Sequence, residues 1–124
     1  MGQASILLVE DEALIQLMLA DMVEELGHRV AATAANVDVG RCLAETEEYD
    51  LAILDINLDG FSVEPIAQAV ADRGRPLFFL TGYGVAGVPD RFRDRPVLNK
   101  PCTQDVLRRM IDFVLAKQKS QMEK

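Results

Sequence analysis

Four short apolar runs in this sequence end in residues able to do chemistry together. Ile6-Leu7-Leu8-Val9 gives way to Glu10-Asp11-Glu12, Ala52-Ile53-Leu54 to Asp55, Leu77-Phe78-Phe79-Leu80 to Thr81, and Val97-Leu98 to Asn99-Lys100-Pro101. Clustered carboxylates repel one another unless a cation neutralises them. Mg²⁺ suits such a set, because it takes a few carboxylate oxygens and keeps several waters. A hydroxyl and an ammonium complete the group. Taken singly these residues have plainer readings: Glu10 to Glu12 could charge the first turn of a helix, whose positive end favours carboxylates. Thr81 could be an ordinary strand residue and Lys100 a solvated charge.

Convergence requires each run to be a strand, with the strand ends on one edge. The runs at 5–9, 29–34, 51–55, 76–81 and 96–99 are too short for helices, and the first is rich in branched residues, which fits buried strands. Between them, Leu14, Ile15, Met18, Met22 and Leu26 recur at helical spacing, and Gly27 suits the left-handed end of that helix. Asn36 caps a second helix running to about Glu45. Ser62 caps a third, with Val63, Ile66, Ala67, Val70 and Ala71 inward and Gly74 closing it. Thr103 caps the last, with Val106, Leu107, Met110, Ile111, Val114 and Leu115 inward; Met18, Met22 and Met110 read as core filler. The stretch 82–95 holds three glycines and a proline, so any helix there is short. Five strand–helix alternations imply a doubly wound α/β fold: a five-stranded parallel sheet with right-handed crossovers and helices on both faces. Ligands of such sheets bind outside the carboxyl ends of the strands.

With 124 residues the chain is expected to form one domain, 1–118, followed by a polar frayed tail, 119–124. A net charge of −7 argues against surfaces for nucleic acid or anionic lipid. The absence of a long apolar run or a signal peptide leads to the expectation of a cytoplasmic protein. Cys42 and Cys102 have no partner spacing for zinc and read as reduced thiols. His28, at a helix–strand turn, reads as structural or exposed.

Taken in order, Glu10-Asp11, Asp55, Thr81-Gly82 and Lys100-Pro101 resemble the receiver domain of two-component response regulators, over about residues 4–118. The resemblance implies strand order 2-1-3-4-5 and a cis Lys100–Pro101 peptide. It implies that Asp55 accepts a phosphoryl group from a phosphohistidine on a histidine kinase or phosphotransfer protein. Mg²⁺ would be held by Asp11, Asp55 and the backbone carbonyl of Asn57, with Glu10 acting mainly through water. Lys100 would pair with phosphoryl oxygens and the Thr81 hydroxyl with another, so that catalysis is positioning plus charge stabilisation.

Two departures matter. Asp55-Ile56-Asn57-Leu58-Asp59-Gly60 reaches its Asp-Gly sooner than most receivers and lacks their proline. Val97 stands where most carry the Tyr or Phe that swings inward as the Thr moves. Phe79-Leu80-Thr81-Gly82-Tyr83-Gly84 is similar to the Phe-Ala-Thr-Gly signature of single-domain receivers that lack this aromatic switch, and makes Tyr83 a switch candidate beside Thr81. The implied function is a stand-alone phospho-accepting regulator rather than a metabolic enzyme. It would be read by an unknown output protein, as a monomer or weak homodimer, with 82–94 becoming ordered on phosphorylation. Two alternatives stand beside it. Asp55-Ile56-Asn57-Leu58 is similar to the nucleophile loop of haloacid-dehalogenase-type phosphatases, although Asn57 replaces the second acid they need. The other is a pseudo-receiver that binds without being phosphorylated.

Overall fold

The computed structural model describes residues 2–82, 84 and 86–122. The elements run β1 (Ser5–Val9), α1 (Ala13–Glu25), β2 (Arg29–Ala34), α2 (Val37–Thr46), β3 (Leu51–Asp55), β4 (Asn57–Leu58), β5 (Phe61–Ser62), α3 (Glu64–Asp72), β6 (Leu77–Thr81), β7 (Val97–Asn99) and α4 (Gln104–Met122). The main sheet is parallel in order β2-β1-β3-β6-β7, the expected 2-1-3-4-5 once the separate hairpin β4-β5 is set aside. Every residue of β3 and β6 is buried, as suits central parallel strands covered on both faces.

Alternation along the strands divides the core in two. Leu7, Val9, Ala52, Leu54, Leu77 and Phe79 pack with α2 and α3. Ile6, Leu8, Leu51, Ile53, Phe78 and Leu80 pack with α1 and α4. Each of these side chains other than Ala52 contributes roughly 1.5–3 kcal/mol by leaving water, and together they hold the strand ends in register.

Local signals behave largely as read. Gly27 and Gly74 adopt φ of 92° and 72° after α1 and α3, and Asn36 Oδ1 accepts a bond from Val39 N at 2.9 Å. Thr103 Oγ1 accepts one from Val106 N at 3.2 Å. At α3 the cap position falls on Val63 rather than Ser62, whose hydroxyl instead accepts from Glu64 N at 3.1 Å. His28 is structural: its Nδ1 accepts from Ala4 N at 3.1 Å.

The helix faces need correction. Leu14 and Met18, expected inward, are 70% and 55% exposed, and Leu19 and Val23 are buried instead, with Ile15, Met22 and Leu26 partly so. Helix α1 is apolar almost all round, so three- and four-residue spacing fits more than one face and contact with the sheet selects among them. Val106 is likewise exposed at the start of α4, whereas Leu107, Ile111 and Val114 are buried. Helix α4 continues to Met122 and so takes in residues 119–122.

Among the described residues, 82–95 contains only a 3-10 turn, Asp90–Phe92, in keeping with its glycines. Val88 and Phe92 are buried and anchor it, the Phe92 ring meeting Phe79 edge-on at 6.3 Å. Tyr83 lies outside the described residues. Among the described residues no helix is long and apolar enough to cross a membrane.

Candidate functional site

The carboxyl ends of β1, β3, β6 and β7 bring the sequence-marked residues to one place. Glu10 is fully buried; its Oε1 accepts from Lys100 Nζ at 2.9 Å and its Oε2 from Glu12 N at 3.1 Å. Asp55, 4% exposed, accepts from Lys100 Nζ at 3.3 Å through Oδ2 and from Asn57 N at 3.3 Å through Oδ1. Asp11 Oδ2 accepts from Asp59 N at 2.9 Å. One oxygen from each of Glu10, Asp11 and Asp55 lies within 4.8 Å of the others, a group that could hold a metal ion. Thr81 is buried, and its carbonyl accepts from Lys100 N at 2.7 Å. Thr81 and Lys100 line one cleft of about 860 Å³ together with Asp11, Asp55 and Asn57. The Lys100–Pro101 peptide is cis.

Glu10 and Asp11 precede the helix rather than charging its first turn: Glu12 occupies the cap position of α1, and that turn holds no acid. Asn57 has two tasks. Its backbone N–H reaches Asp55, and its side-chain Oδ1 accepts from Gly60 N at 2.8 Å. The phosphatase alternative needs an acid at that position; the amide instead pins a two-residue hairpin turn. Asp59 and Gly60 both have positive φ, 54° and 83°, as a type I′ turn demands.

Electrostatics follow from the crowding. Burial, and then the charge and hydrogen bonding of Glu10, push the Asp55 carboxyl up to about 7, against smaller opposing effects of Lys100 and the Asn57 amide. Burial by itself would lower the Lys100 ammonium, but Glu10 and Asp55 outweigh it and hold it above its usual value. The site therefore combines three acids with one base and favours a further positive charge.

Sequence reasoning missed two contributors. The hairpin β4-β5 carries the Asp59 N–H to Asp11, and its signal, Asp-Gly between Leu58 and Phe61, was legible. Gln16 Nε2 donates to the carbonyls of Glu10 and Ala34, each at 3.0 Å. No spacing rule marks it.

A parallel sheet of this order with an acidic group, a Thr and a Lys at its carboxyl edge defines a receiver-type signalling module. Comparison with known proteins agrees. The chain is 41% identical to SdrG from Sphingomonas melonis Fr1, with a TM-score of 0.77 over 94% of this chain and 96% of that one. It is 30% identical to the receiver domain of the Erythrobacter litoralis PhyR response regulator, with a TM-score of 0.79 over 92% and 91%. The transcriptional regulatory protein PdtaR of Mycobacterium tuberculosis H37Rv is 32% identical over 92 residues, 72% of this chain and 44% of PdtaR. No family model matches the chain. The chain belongs to the response regulator receiver domain family. It spans less than half the length of the curated relatives it matches.

Proposed function

We propose that this receiver takes a phosphoryl group onto Asp55 from the phosphohistidine of a histidine kinase or phosphotransfer protein, and that a protein partner reads the change. The observation carrying this reading is a buried Asp55 carboxylate, 3.3 Å from the Lys100 ammonium and grouped with two further acids. An Asp55 oxygen attacks phosphorus, the bond from phosphorus to the imidazole nitrogen breaks, and the nitrogen keeps the electron pair. Lys100 then follows the negative charge from the carboxylate to the phosphoryl oxygens, and the Thr81 hydroxyl binds another. Asp11, Asp55 and the Asn57 carbonyl would hold Mg²⁺, with Glu10 reaching it through water. The crowding of like charges supports that fit. When bound, the ion neutralises these carboxylates and the charge of the transferring group. Phe79-Leu80-Thr81-Gly82 and a valine at 97 support placement among receivers that work without an aromatic switch.

Intact-mass measurement after treatment with acetyl phosphate and Mg²⁺ tests the reading. One phosphoryl group per chain is expected; no uptake, or hydrolysis of many equivalents, overturns it. Mg²⁺ itself should stabilise the folded chain, by about 2.7 kcal/mol at a hundredfold excess over its Kd. In Asp11→Asn this increment should shrink sharply, while the metal-free protein melts higher because repulsion is relieved. Thermal melts with and without Mg²⁺ check both points, and an unchanged wild-type Tm at saturating Mg²⁺ removes the metal assignment.

The switch should be local. Val97 offers no ring to move, and among the described residues only a 3-10 turn lies between β6 and β7. Phosphorylation, which adds roughly −1.5 to −2 charge, should therefore raise hydrogen-exchange protection at Gly82, Gly84, Ala86 and Gly87 more than in α1 or α2. Beryllofluoride serves as the stable mimic, and equal protection in both states places the switch elsewhere.

A further inference from the structure

We propose that Gln16 is a positioning residue of the acidic site: by clamping one peptide group it aims Asp11 at the metal position. The proposal rests on the reading of that site as a Mg²⁺ site. The loop between β1 and α1 has only three residues, Glu10, Asp11 and Glu12, and carries two of the three clustered carboxylates. Gln16, in the first turns of α1, turns its amide back onto this loop. Its Nε2 donates to Glu10 O and to Ala34 O, both at 3.0 Å. Both partners are carbonyl oxygens, so only the NH₂ end of the amide can face them, and both of its hydrogens are used.

The Glu10 carbonyl and the Asp11 N–H belong to one rigid peptide plane. Pinning that carbonyl fixes ψ of Glu10 and φ of Asp11, and with them the direction of the Asp11 side chain. The same clamp reaches the neighbouring strand. Ala34 O, at the end of β2, also accepts from Glu10 N at 3.0 Å, so one carbonyl holds both the strand end and the helix. Removing the amide takes the Gln16 bond from the Glu10 carbonyl, leaves Ala34 O with Glu10 N alone of these two donors, and frees the peptide plane to rotate. Backbone bonds tie the two ends of this loop, Glu10 N to Ala34 O and Gln16 N to Glu12 O, and the remaining ties are side-chain bonds of the acids themselves, from Lys100 and Glu12 to Glu10 and from Asp59 to Asp11. A metal would compete for those oxygens, whereas the Gln16 clamp stays intact when they change partners. Gln16 touches none of the carboxylate oxygens, so its effect must pass through the backbone.

The test is Mg²⁺ binding to the metal-free chain, followed by amide chemical shifts, in three variants. Gln16→Met keeps length and removes the donors. Gln16→Glu keeps shape, sets a carboxylate against two carbonyls, and adds negative charge that by simple attraction would tighten Mg²⁺ binding. Gln118→Met is the control: it deletes a like bond, Gln118 Nε2 to Gly74 O at 2.8 Å, at the other end of the sheet. Outer partners of metal ligands typically cost 10–100-fold in affinity. Both Gln16 variants should therefore bind Mg²⁺ at least tenfold more weakly, with shifted Glu10, Asp11 and Glu12 amides before metal is added, while Gln118→Met keeps the wild-type Kd. Affinity within twofold of wild type in both Gln16 variants, or an equal loss in Gln118→Met, overturns the proposal. A wild-type chain that binds no Mg²⁺ overturns the reading of the site itself, and this proposal with it.

Discussion

Asp55→Asn should take up no phosphoryl group at all. With acetyl phosphate and Mg²⁺, intact mass should show one added group on the wild-type chain and none on the variant. The asparagine amide has nearly the shape of the carboxylate but only one acceptor oxygen, so it keeps one of the two bonds, from the Asn57 N–H or from the Lys100 ammonium, and loses the other, while the packing that sets the fold should persist. What disappears is the nucleophilic oxygen, because the amide oxygen carries no full charge and a poor lone pair for attack on phosphorus. A partial loss would mean that Glu10 or Asp11 shares the acceptor role. Full labelling of the variant would move the acceptor elsewhere and end the assignment.

The same substitution should remove Asp55's share of the pH dependence of stability in the metal-free chain. Burial and Glu10 raise Asp55 from an ordinary 3.8 to about 7. The folded chain thus holds a proton on Asp55 over a range in which the unfolded chain has released it. The contribution of this group is fully present below about pH 4, declines as pH rises, and is gone above about pH 7. At about 1.4 kcal/mol per pKa unit the span is on the order of 4 kcal/mol. Asp55→Asn has no proton to lose, so it should melt higher than wild type at pH 8, by about 15 °C, and nearly level with it at pH 4. Melts of both proteins from pH 4 to pH 8, without metal, give the comparison. Parallel curves would show that Asp55 ionises freely in the folded chain. Saturating Mg²⁺ at pH 8 should close most of the gap, since the ion supplies the positive charge that the proton otherwise provides.

Much of this molecule is legible along the chain. Each buried strand is a short apolar run, and each run ends where a polar residue begins. Polar groups cannot continue into the middle of a sheet covered on both faces, so the carboxyl edge can be located from the break in pattern alone. Gly27, Gly74, Asn36 and Thr103 punctuate the helices by mechanisms that need no tertiary partner: left-handed backbone for the glycines, a side-chain acceptor for the caps. Glu10, Asp11, Asp55, Thr81 and Lys100 are legible for the same reason, since residue type and strand-end position are both local properties.

Other features were decided only when the elements packed. Leu14 and Leu19 are equally apolar, yet one is 70% exposed and the other 4%, because an almost uniformly apolar helix leaves its orientation to the sheet. Gln16 gives no signal in sequence: its value comes from facing two carbonyls at the ends of neighbouring strands, Glu10 just after β1 and Ala34 closing β2, and strand adjacency is set by topology. The raised Asp55 carboxyl is likewise collective. An aspartate at a strand end is ordinary by itself, and becomes a strained, cation-seeking group when Glu10 is fully buried beside it and Lys100 is the base that answers both. Residue types are written in the chain, but distances between residues 45 or 90 positions apart exist only in the fold. Charge interactions depend on those distances and on the dielectric around them, so the identity of the site was readable and its energetics were not.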